Sequence, residues 1–419
     1  MNPMKSLPSD SVGLRPDPRG WIGLDPLIRA HAGASSAAPP SDPATAQAQT
    51  TPFAAQQATA ASDRRALIMA GGTGGHIFPG LAVAQALRER GWDVVWLGGA
   101  GSDAKPSMES RLIPPQGFVF ETLAFSGVRG KGVMTLALLP LRLLRAFWQS
   151  IQVIRRVKPD VVVGLGGYIT FPGAMMAVLL GKPLILHEQN SVAGMANRVL
   201  ARIADRVYSS FPDVLPKARW VGNPLRQPFI GRATPERRFA ERSGALRVLV
   251  VGGSLGARVL NEVVPAALAL IPQEQRPLVT HQGGIDQIDA LHANYAKVGV
   301  HSRLVAFIDD TASALADADL VICRAGASTV AEIAAIGVAA LFVPLPSAVD
   351  DHQTRNARFL VDRGAGWLLA QADFDPPRLA QFLQQATREN LLACASTARL
   401  AEKTDATAQM VAACEELVS

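Results

Sequence analysis

The sequence predicts an α/β protein made of two similar units, each a parallel, doubly wound sheet, facing one another across a cleft. Three observations carry this. From Arg64 onward, short apolar runs alternate with helical stretches, as in strand–helix–strand crossovers. After a polar connection rich in Pro and Arg, Gly222–Gly244, the alternation begins again. Three of the apolar runs lead directly into glycine-rich turns.

Taken in order, Ala66–Ala70 reads as a strand running into Gly71–Gly75. A helix over Pro79–Arg90 follows and is stopped by Gly91. Asp93–Leu97, Asp160–Gly164, Pro183–His187 and Arg206–Ser209 complete the strands of the first unit, residues 64–224. The second unit, residues 225–419, has strands at Arg247–Val251, Leu278–His281, Arg303–Phe307, Leu320–Cys323 and Ala340–Val343. Pro376–Val418 reads as helices. In such folds a ligand lies at the carboxyl ends of the strands.

Residues 1–63 read as a tail. Their second half is dominated by Ala, Pro, Ser, Thr and Gln, with Asp42 as the one charge in 32–62. A segment with so little to bury is expected to be disordered. It lacks the apolar core and cleavage site of a signal peptide. A start site misassigned upstream of Asp63 is the other reading.

The 419 residues carry 41 basic and 35 acidic side chains, a formal charge of +6. Residues 64–224 hold 19 bases and 9 acids, whereas residues 225–419 hold 18 bases and 21 acids. The positive excess therefore sits on one unit. That argues against a protein wrapped by nucleic acid and favours one basic face toward an anionic surface such as a membrane. The three cysteines, Cys323, Cys394 and Cys414, are far apart in the chain. They make neither a disulfide framework nor a zinc motif, which fits a reducing cytoplasm. No run reaches the roughly 18 apolar residues of a spanning helix.

The glycine-rich turns are Gly71–His76, Gly164–Tyr168 and Gly252–Arg258. Glycine lets backbone N–H groups approach an anion, and a following helix N-terminus adds partial positive charge. Three such turns at strand ends favour phosphate binding over mere tight turning. The first is not a dinucleotide fingerprint, because Ile77 stands where its last glycine belongs and the second strand runs into Gly98-Gly99, not an acid. No Lys-Ser/Thr follows, so it is not a Walker loop. The first two turns also share a Pro-Gly pair, at Gly80 and Gly173, early in the next helix, where proline's missing N–H is harmless. A diphosphate held between two helix N-termini is the structural expectation.

With these motifs placed, Met69–Pro79, His187-Glu-Gln-Asn190, Val221–Arg226, Gly252–Arg258 and Arg324–Glu332 together resemble the MurG family of bacterial N-acetylglucosaminyltransferases. The resemblance runs from about residue 64 to the C-terminus. It implies the GT-B fold of family 28, two Rossmann-like domains facing a cleft. It also implies inverting transfer of N-acetylglucosamine from its UDP sugar to the 4-hydroxyl of undecaprenyl-diphospho-N-acetylmuramoyl-pentapeptide, at the cytoplasmic face of the bacterial inner membrane. Two alternatives are a related enzyme with a diacylglycerol acceptor and a non-catalytic module that binds UDP sugar or lipid.

The chemistry needs a base for the incoming hydroxyl and a way to stabilise the departing diphosphate. His76, at the end of the first turn, is the candidate base, or a hydrogen-bond donor to phosphate. Glu188 competes for the base role, or orients His76 or holds its loop. The resemblance also implies that Thr73, Gly74 and Gly75 take part in binding the UDP sugar. Gly74, Gly75, His76, Gly166, Gly167 and Tyr168 are the expected seat of the acceptor diphosphate. By resemblance, Arg226 and Ser254 hold the donor diphosphate. Arginine suits this because its forked donors match two phosphate oxygens, although an interdomain salt bridge is the plainer role. Glu332 matches the acid on the ribose hydroxyls, and Thr329-Val-Ala-Glu332 also has the spacing of a capping box. Ile308 and the loop Ala327, Ser328, Thr329, Val330, Ala331 match uracil-side contacts. Asn190 and Gln353 match contacts to the donor sugar, with His352 standing where some members have a second glutamine. Asp309-Asp310 and Asp350-Asp351 are adjacent pairs, not an Asp-x-Asp motif, so neither a metal nor a cofactor is expected.

Residues 122–159 contain no acid and seven bases, Arg129, Lys131, Arg142, Arg145, Arg155, Arg156 and Lys158. Leu143 or Leu144, Phe147, Ile151 and Ile154 share one face at helical spacing and are expected to pack inward. Val133, Met134, Leu136, Leu139, Leu141 and Trp148 exceed what one face can bury. A basic amphipathic segment lying on anionic lipid is the expectation.

Overall fold

The computed structural model describes residues 22–23, 64–102, 105–125, 138–253 and 256–419. Ser254, Arg129, Lys131, Val133, Met134, Leu136 and all of residues 1–63 except the pair 22–23 lie outside them.

There are two seven-stranded sheets. The first runs Arg219–Trp220, Arg206–Ser209, Leu184–Glu188, Val161–Gly164, Arg65–Met69, Asp93–Gly99, Val119–Leu123, parallel throughout. Its central strands are apolar on both faces because helices cover both, and Ala66–Met69 is wholly buried. The second runs Ile22–Gly23, Trp367–Leu368, Ala339–Phe342, Leu320–Cys323, Arg247–Val251, Leu278–Gln282, Arg303–Val305. It is parallel except for Ile22–Gly23, which pairs antiparallel with Trp367–Leu368. Disorder across the whole of 1–63 is therefore corrected at these two residues, whose backbone completes an edge.

Strand order fixes where ligands sit. From Arg65–Met69 the chain first moves to Asp93–Gly99 on one side and later returns to Val161–Gly164 on the other. Met69 pairs with Gly164, so the turns after both strands leave from one switch point. In the second sheet Arg247–Val251 lies between Leu278–Gln282 and Leu320–Cys323, with Val251 opposite Cys323. The turns at Gly252 and Arg324 leave from that point.

Several expectations need correction. The first helix is Gly74–Glu89 and begins inside the glycine turn. Thr73 precedes it in an extended conformation, and its carbonyl accepts from His76 N and Ile77 N, each at 3.1 Å. Pro79 is thus past the first turn, where its missing N–H leaves the Gly75 carbonyl without its helical donor. That carbonyl faces Ser328 of the other unit instead, with the Ser328 hydroxyl 3.5 Å away.

The last helix, Ala406–Val418, falls by sequence order in the second unit, 225–419, but it packs on the first. Ala406, Met410, Val411, Ala413 and Cys414 join the core formed by Ile68, Ile77 and Trp96. Arg90 donates to both Glu415 carboxylate oxygens, at 3.0 and 2.9 Å. The chain therefore crosses between units twice, and the crossings touch. Gly222 has φ +85°, and a Cβ there would lie 2.6 Å from the Lys403 carbonyl oxygen. Only glycine fits the conformation and the gap.

The basic helix is Leu139–Val157. Its buried face is Ala146, Ser150, Val153, Ile154 and Val157; of the expected face Ile154 is buried, Leu143, Phe147 and Ile151 are half-buried at its margin, and Leu144 is exposed. Small Ala146 and Ser150 allow close approach to the neighbouring helix Thr170–Leu179, with Phe147 and Phe171 rings 6.2 Å apart. Leu141, Leu144 and Trp148 are left 60–66% exposed. Arg142 and Arg145 are exposed beside them, whereas Arg156 is occupied by Glu121 at 2.6 Å.

Candidate active site

The two glycine turns of the first unit meet at the switch point. Gly166 and Gly167 have φ +88° and +90°, a region open to glycine at little cost. A Cβ on Gly167 would collide with the Gly71 carbonyl. A Cβ on Gly166 would lie 3.0 Å from His76 Nε2. The absent side chains are what let the turns close around the imidazole.

His76 Nδ1 lies 3.1 Å from the Gly71 carbonyl oxygen and 3.3 Å from Thr73 Oγ1. A carbonyl can only accept, so the proton of the neutral ring belongs on Nδ1. Nε2 then keeps a lone pair toward the crevice. Burial lowers the imidazole pKa below its ordinary value, while Glu188, the Gly71 carbonyl and Glu109 pull it upward. The net direction is down, so the ring stays neutral at physiological pH.

Glu188 ends its strand almost completely buried. One oxygen accepts from Asn190 N at 2.9 Å and Asn190 Nδ2 at 3.4 Å. The other accepts from Gly194 N at 3.3 Å and Asn197 Nδ2 at 2.8 Å. With both oxygens occupied, its geometry is that of a loop anchor. Tyr168 turns its hydroxyl to Glu109, 3.2 Å away. The fully buried Glu109 also accepts from Gly72 N and Gly99 N, at 3.2 and 3.1 Å.

The second unit supplies the opposite wall. The helix Ala327–Ile336 starts after Gly326, and no side chain caps it. The capping box at Thr329–Glu332 is therefore not formed, because both residues are already inside the helix. Its first-turn N–H groups, which lack helical acceptors, open toward the cleft. Ser328 Oγ accepts from Asn223 Nδ2 at 3.4 Å and faces Gly75. The first turns of two helices thus meet across the cleft, where an anion would relieve their like partial charges. Val330 and Ala331 bury their side chains in the core behind, leaving only backbone for a ligand. Ile308 packs half-buried on the same core.

Arg226 stands between the units. Its guanidinium lies 4.7 Å from the Phe78 ring centroid and 5.1 Å from that of Phe229. Its terminal nitrogen is 3.7 Å from Glu332, and its buried Nε has no partner. Glu332 is pushed up to about 7 by burial, with Arg226 acting in the opposite sense. Gln353 Oε1 accepts from Ala325 N at 3.3 Å and Leu345 N at 3.0 Å, which fixes its amide for donation. Among the described residues no cluster of three or more His, Cys, Asp or Glu is placed to hold a metal ion. Asp310 caps the helix Thr311–Asp317, and Asp351 accepts from Thr354 Oγ1 at 2.6 Å.

Asn356 escapes sequence reading. Buried, it accepts from Ser191 N and Oγ at 2.9 and 2.7 Å and donates to the Ala325 carbonyl at 3.2 Å and Asn190 Oδ1 at 3.4 Å. It stitches the loop after Glu188 to the second unit. An asparagine inside an amphipathic helix gives no sequence signal for this.

The paired parallel sheets facing one another across a cleft are the GT-B fold, and the family matches make the chain a glycosyltransferase. Residues 66–209 match the glycosyltransferase family 28 N-terminal domain, and residues 247–410 match the C-terminal domain. A relative from Polaromonas sp. (strain JS666) is 67% identical over 385 residues, 91% of this chain and 98% of that protein. One from Ralstonia nicotianae is 60% identical over 354 residues, 84% of this chain and 96% of that protein. Both are described as UDP-N-acetylglucosamine--N-acetylmuramyl-(pentapeptide) pyrophosphoryl-undecaprenol N-acetylglucosamine transferases. A crystal structure of Acinetobacter baumannii MurG, 39% identical, aligns with a TM-score of 0.71 over 84% of this chain and 99% of that chain. The chain belongs to the MurG family within glycosyltransferase family 28.

Proposed function

We propose that this protein transfers N-acetylglucosamine from UDP-N-acetylglucosamine to the 4-hydroxyl of undecaprenyl-diphospho-N-acetylmuramoyl-pentapeptide, with inversion, at the cytoplasmic face of the bacterial inner membrane. The observation that carries this is His76, with its proton held on Nδ1 and Nε2 free at the meeting point of two glycine turns. His76 Nε2 takes the hydroxyl proton as the oxygen bonds to the anomeric carbon. The bond from that carbon to the UDP oxygen breaks, and its electron pair leaves on UDP. Arg226 and the N-terminus of Ala327–Ile336 stabilise the charge that develops there. The paired turns of the first unit suit an acceptor diphosphate, which a diacylglycerol acceptor would not use. The test is transfer of labelled sugar to a short-chain undecaprenyl-type acceptor in competition with diacylglycerol. Label on the diphosphate lipid supports the reading, and label on diacylglycerol alone, or donor binding without product, refutes it.

In this reading Glu332 accepts from the ribose diol as a carboxylate. Its free-state pKa near 7 means that below that pH it must lose a proton to bind. Affinity for UDP-N-acetylglucosamine should therefore rise with pH through about 7 and level off above it. Calorimetry in buffers of different ionisation enthalpy should show proton release on binding. In Glu332→Gln that release disappears and affinity falls roughly 10- to 100-fold, as expected for lost hydrogen bonds to a charged group. A pH-independent wild-type affinity contradicts this role.

No helix among the described residues is long and apolar enough to cross a membrane. Leu141, Leu144 and Trp148 beside Arg142 and Arg145 suit attachment to an anionic bilayer surface. Each base near such a surface adds about 1 kcal/mol. Reversing both arginines to glutamate should cut partition onto phosphatidylglycerol vesicles at least tenfold and leave solution turnover of a water-soluble acceptor unchanged. Equal binding by wild type and the double variant eliminates the membrane face.

A further inference from the structure

Between Glu188 and Asn190 stands Gln189, 1% exposed. Neither end of its amide has a hydrogen-bond partner. Leaving such a group dry and unpaired is costly, so the amide has hydrogen bonds to give to a water or to a bound ligand. Its surroundings say where. The point a Cβ on Gly166 would occupy is 3.3 Å from Gln189 Oε1 and 3.0 Å from His76 Nε2. The amide and the basic ring nitrogen therefore flank the same small space, which opens because residue 166 has no side chain. The neighbouring polar groups are already committed: Glu188 to four donors, His187 Nε2 to the Gly222 carbonyl at 3.0 Å. His187 Nδ1 is also unpaired, but Gln189 is the residue of this loop whose donor and acceptor are both unused and whose amide oxygen lies beside the same point as His76 Nε2.

We propose that Gln189 binds the acceptor sugar and holds its hydroxyl against His76 Nε2. An amide suits this because it donates and accepts at once, and can grip a hydroxyl or an N-acetyl group without changing charge. A carboxylate in its place would compete for the proton that His76 must take. The proposal deepens the function above and rests on it, but its test separates the two, because wild-type transfer must be present before the variants are read.

The first variant is Gln189→Leu, similar in size and apolar. If the amide were part of the internal scaffold, leucine would lower the melting temperature. If it waits for substrate, leucine removes an unpaired polar group and the melting temperature holds or rises. The expected outcome is an unchanged or higher melting temperature, an acceptor KM raised about 10- to 100-fold, and an unchanged KM for UDP-N-acetylglucosamine. The second variant is Gln189→Glu. The groups acting on His76 are Glu188, Glu109, His352 and the Gly71 carbonyl, and an added carboxylate should move the acid limb of kcat/KM to higher pH. Unchanged acceptor KM in both variants overturns the proposal, as does an equal loss of donor affinity. A lowered melting temperature in Gln189→Leu with normal acceptor KM assigns Gln189 to the scaffold instead.

Discussion

Replacing His76 with alanine should lower kcat by about 100- to 10,000-fold, the usual worth of a positioned general base, with donor affinity essentially unchanged. The expectation rests on a tautomer. The Gly71 carbonyl holds Nδ1–H, so Nε2 is the basic atom. Because burial lowers this imidazole, the acid limb of wild-type kcat/KM for the acceptor, measured at saturating donor so that Glu332 is already ionised, should fall below the ordinary histidine value, with activity lost as pH drops through it. In His76→Ala that limb should vanish. Near-normal turnover in the variant would return the base role to Glu188, despite the four donors its oxygens already serve.

The second large effect is expected at Arg226. Its alanine variant should lose about 100- to 1,000-fold in kcat, the scale of removing one group that stabilises charge in a transition state. A second consequence follows from its position 3.7 Å from Glu332. Arg226 opposes the effect of burial on that carboxyl, so its loss should push Glu332 higher still. The pH at which donor affinity levels off should then move upward from its wild-type position. Lysine at 226 should restore the charge but not the forked geometry or the stacking on Phe78, and so rescue only in part. If Arg226→Ala changes melting temperature but not kcat, the residue is an interdomain clamp and no more.

Much of this was legible in the sequence, and the reasons differ residue by residue. Glycine-rich turns are local, so Gly71–His76 and Gly164–Tyr168 could be placed at strand ends from their flanking apolar runs. That they touch depends on Arg65–Met69 and Val161–Gly164 being neighbours, which sequence order does not state. Two-residue strands such as Arg219–Trp220 and Trp367–Leu368 carry too few residues for any period. Ala406–Val418 shows an apolar face, but a face does not name the sheet it covers. Glu332 had capping-box spacing, yet the chain starts the helix at Ala327 because Gly326 opens it. Glu109, Gln189 and Asn356 read as ordinary polar residues. Each acquires its role from tertiary neighbours: glycine amides, an imidazole, and the opposite unit.

The charge asymmetry divides in the same way. Sequence showed that the positive excess belongs to the first unit, but not which bases are free. Arg156 is tied to Glu121, whereas Arg142 and Arg145 stand exposed among Leu141, Leu144 and Trp148.

Direct displacement at the anomeric carbon by a hydroxyl that His76 deprotonates is the central step of the proposed reaction. The most direct measurement is the anomeric configuration of the disaccharide lipid formed from UDP-N-acetylglucosamine, read by proton NMR of the enzymatic product. A β linkage from the α-linked donor is the predicted result. An α linkage would mean retention, incompatible with a single displacement assisted by one base, and would contradict the roles given to His76 and Arg226.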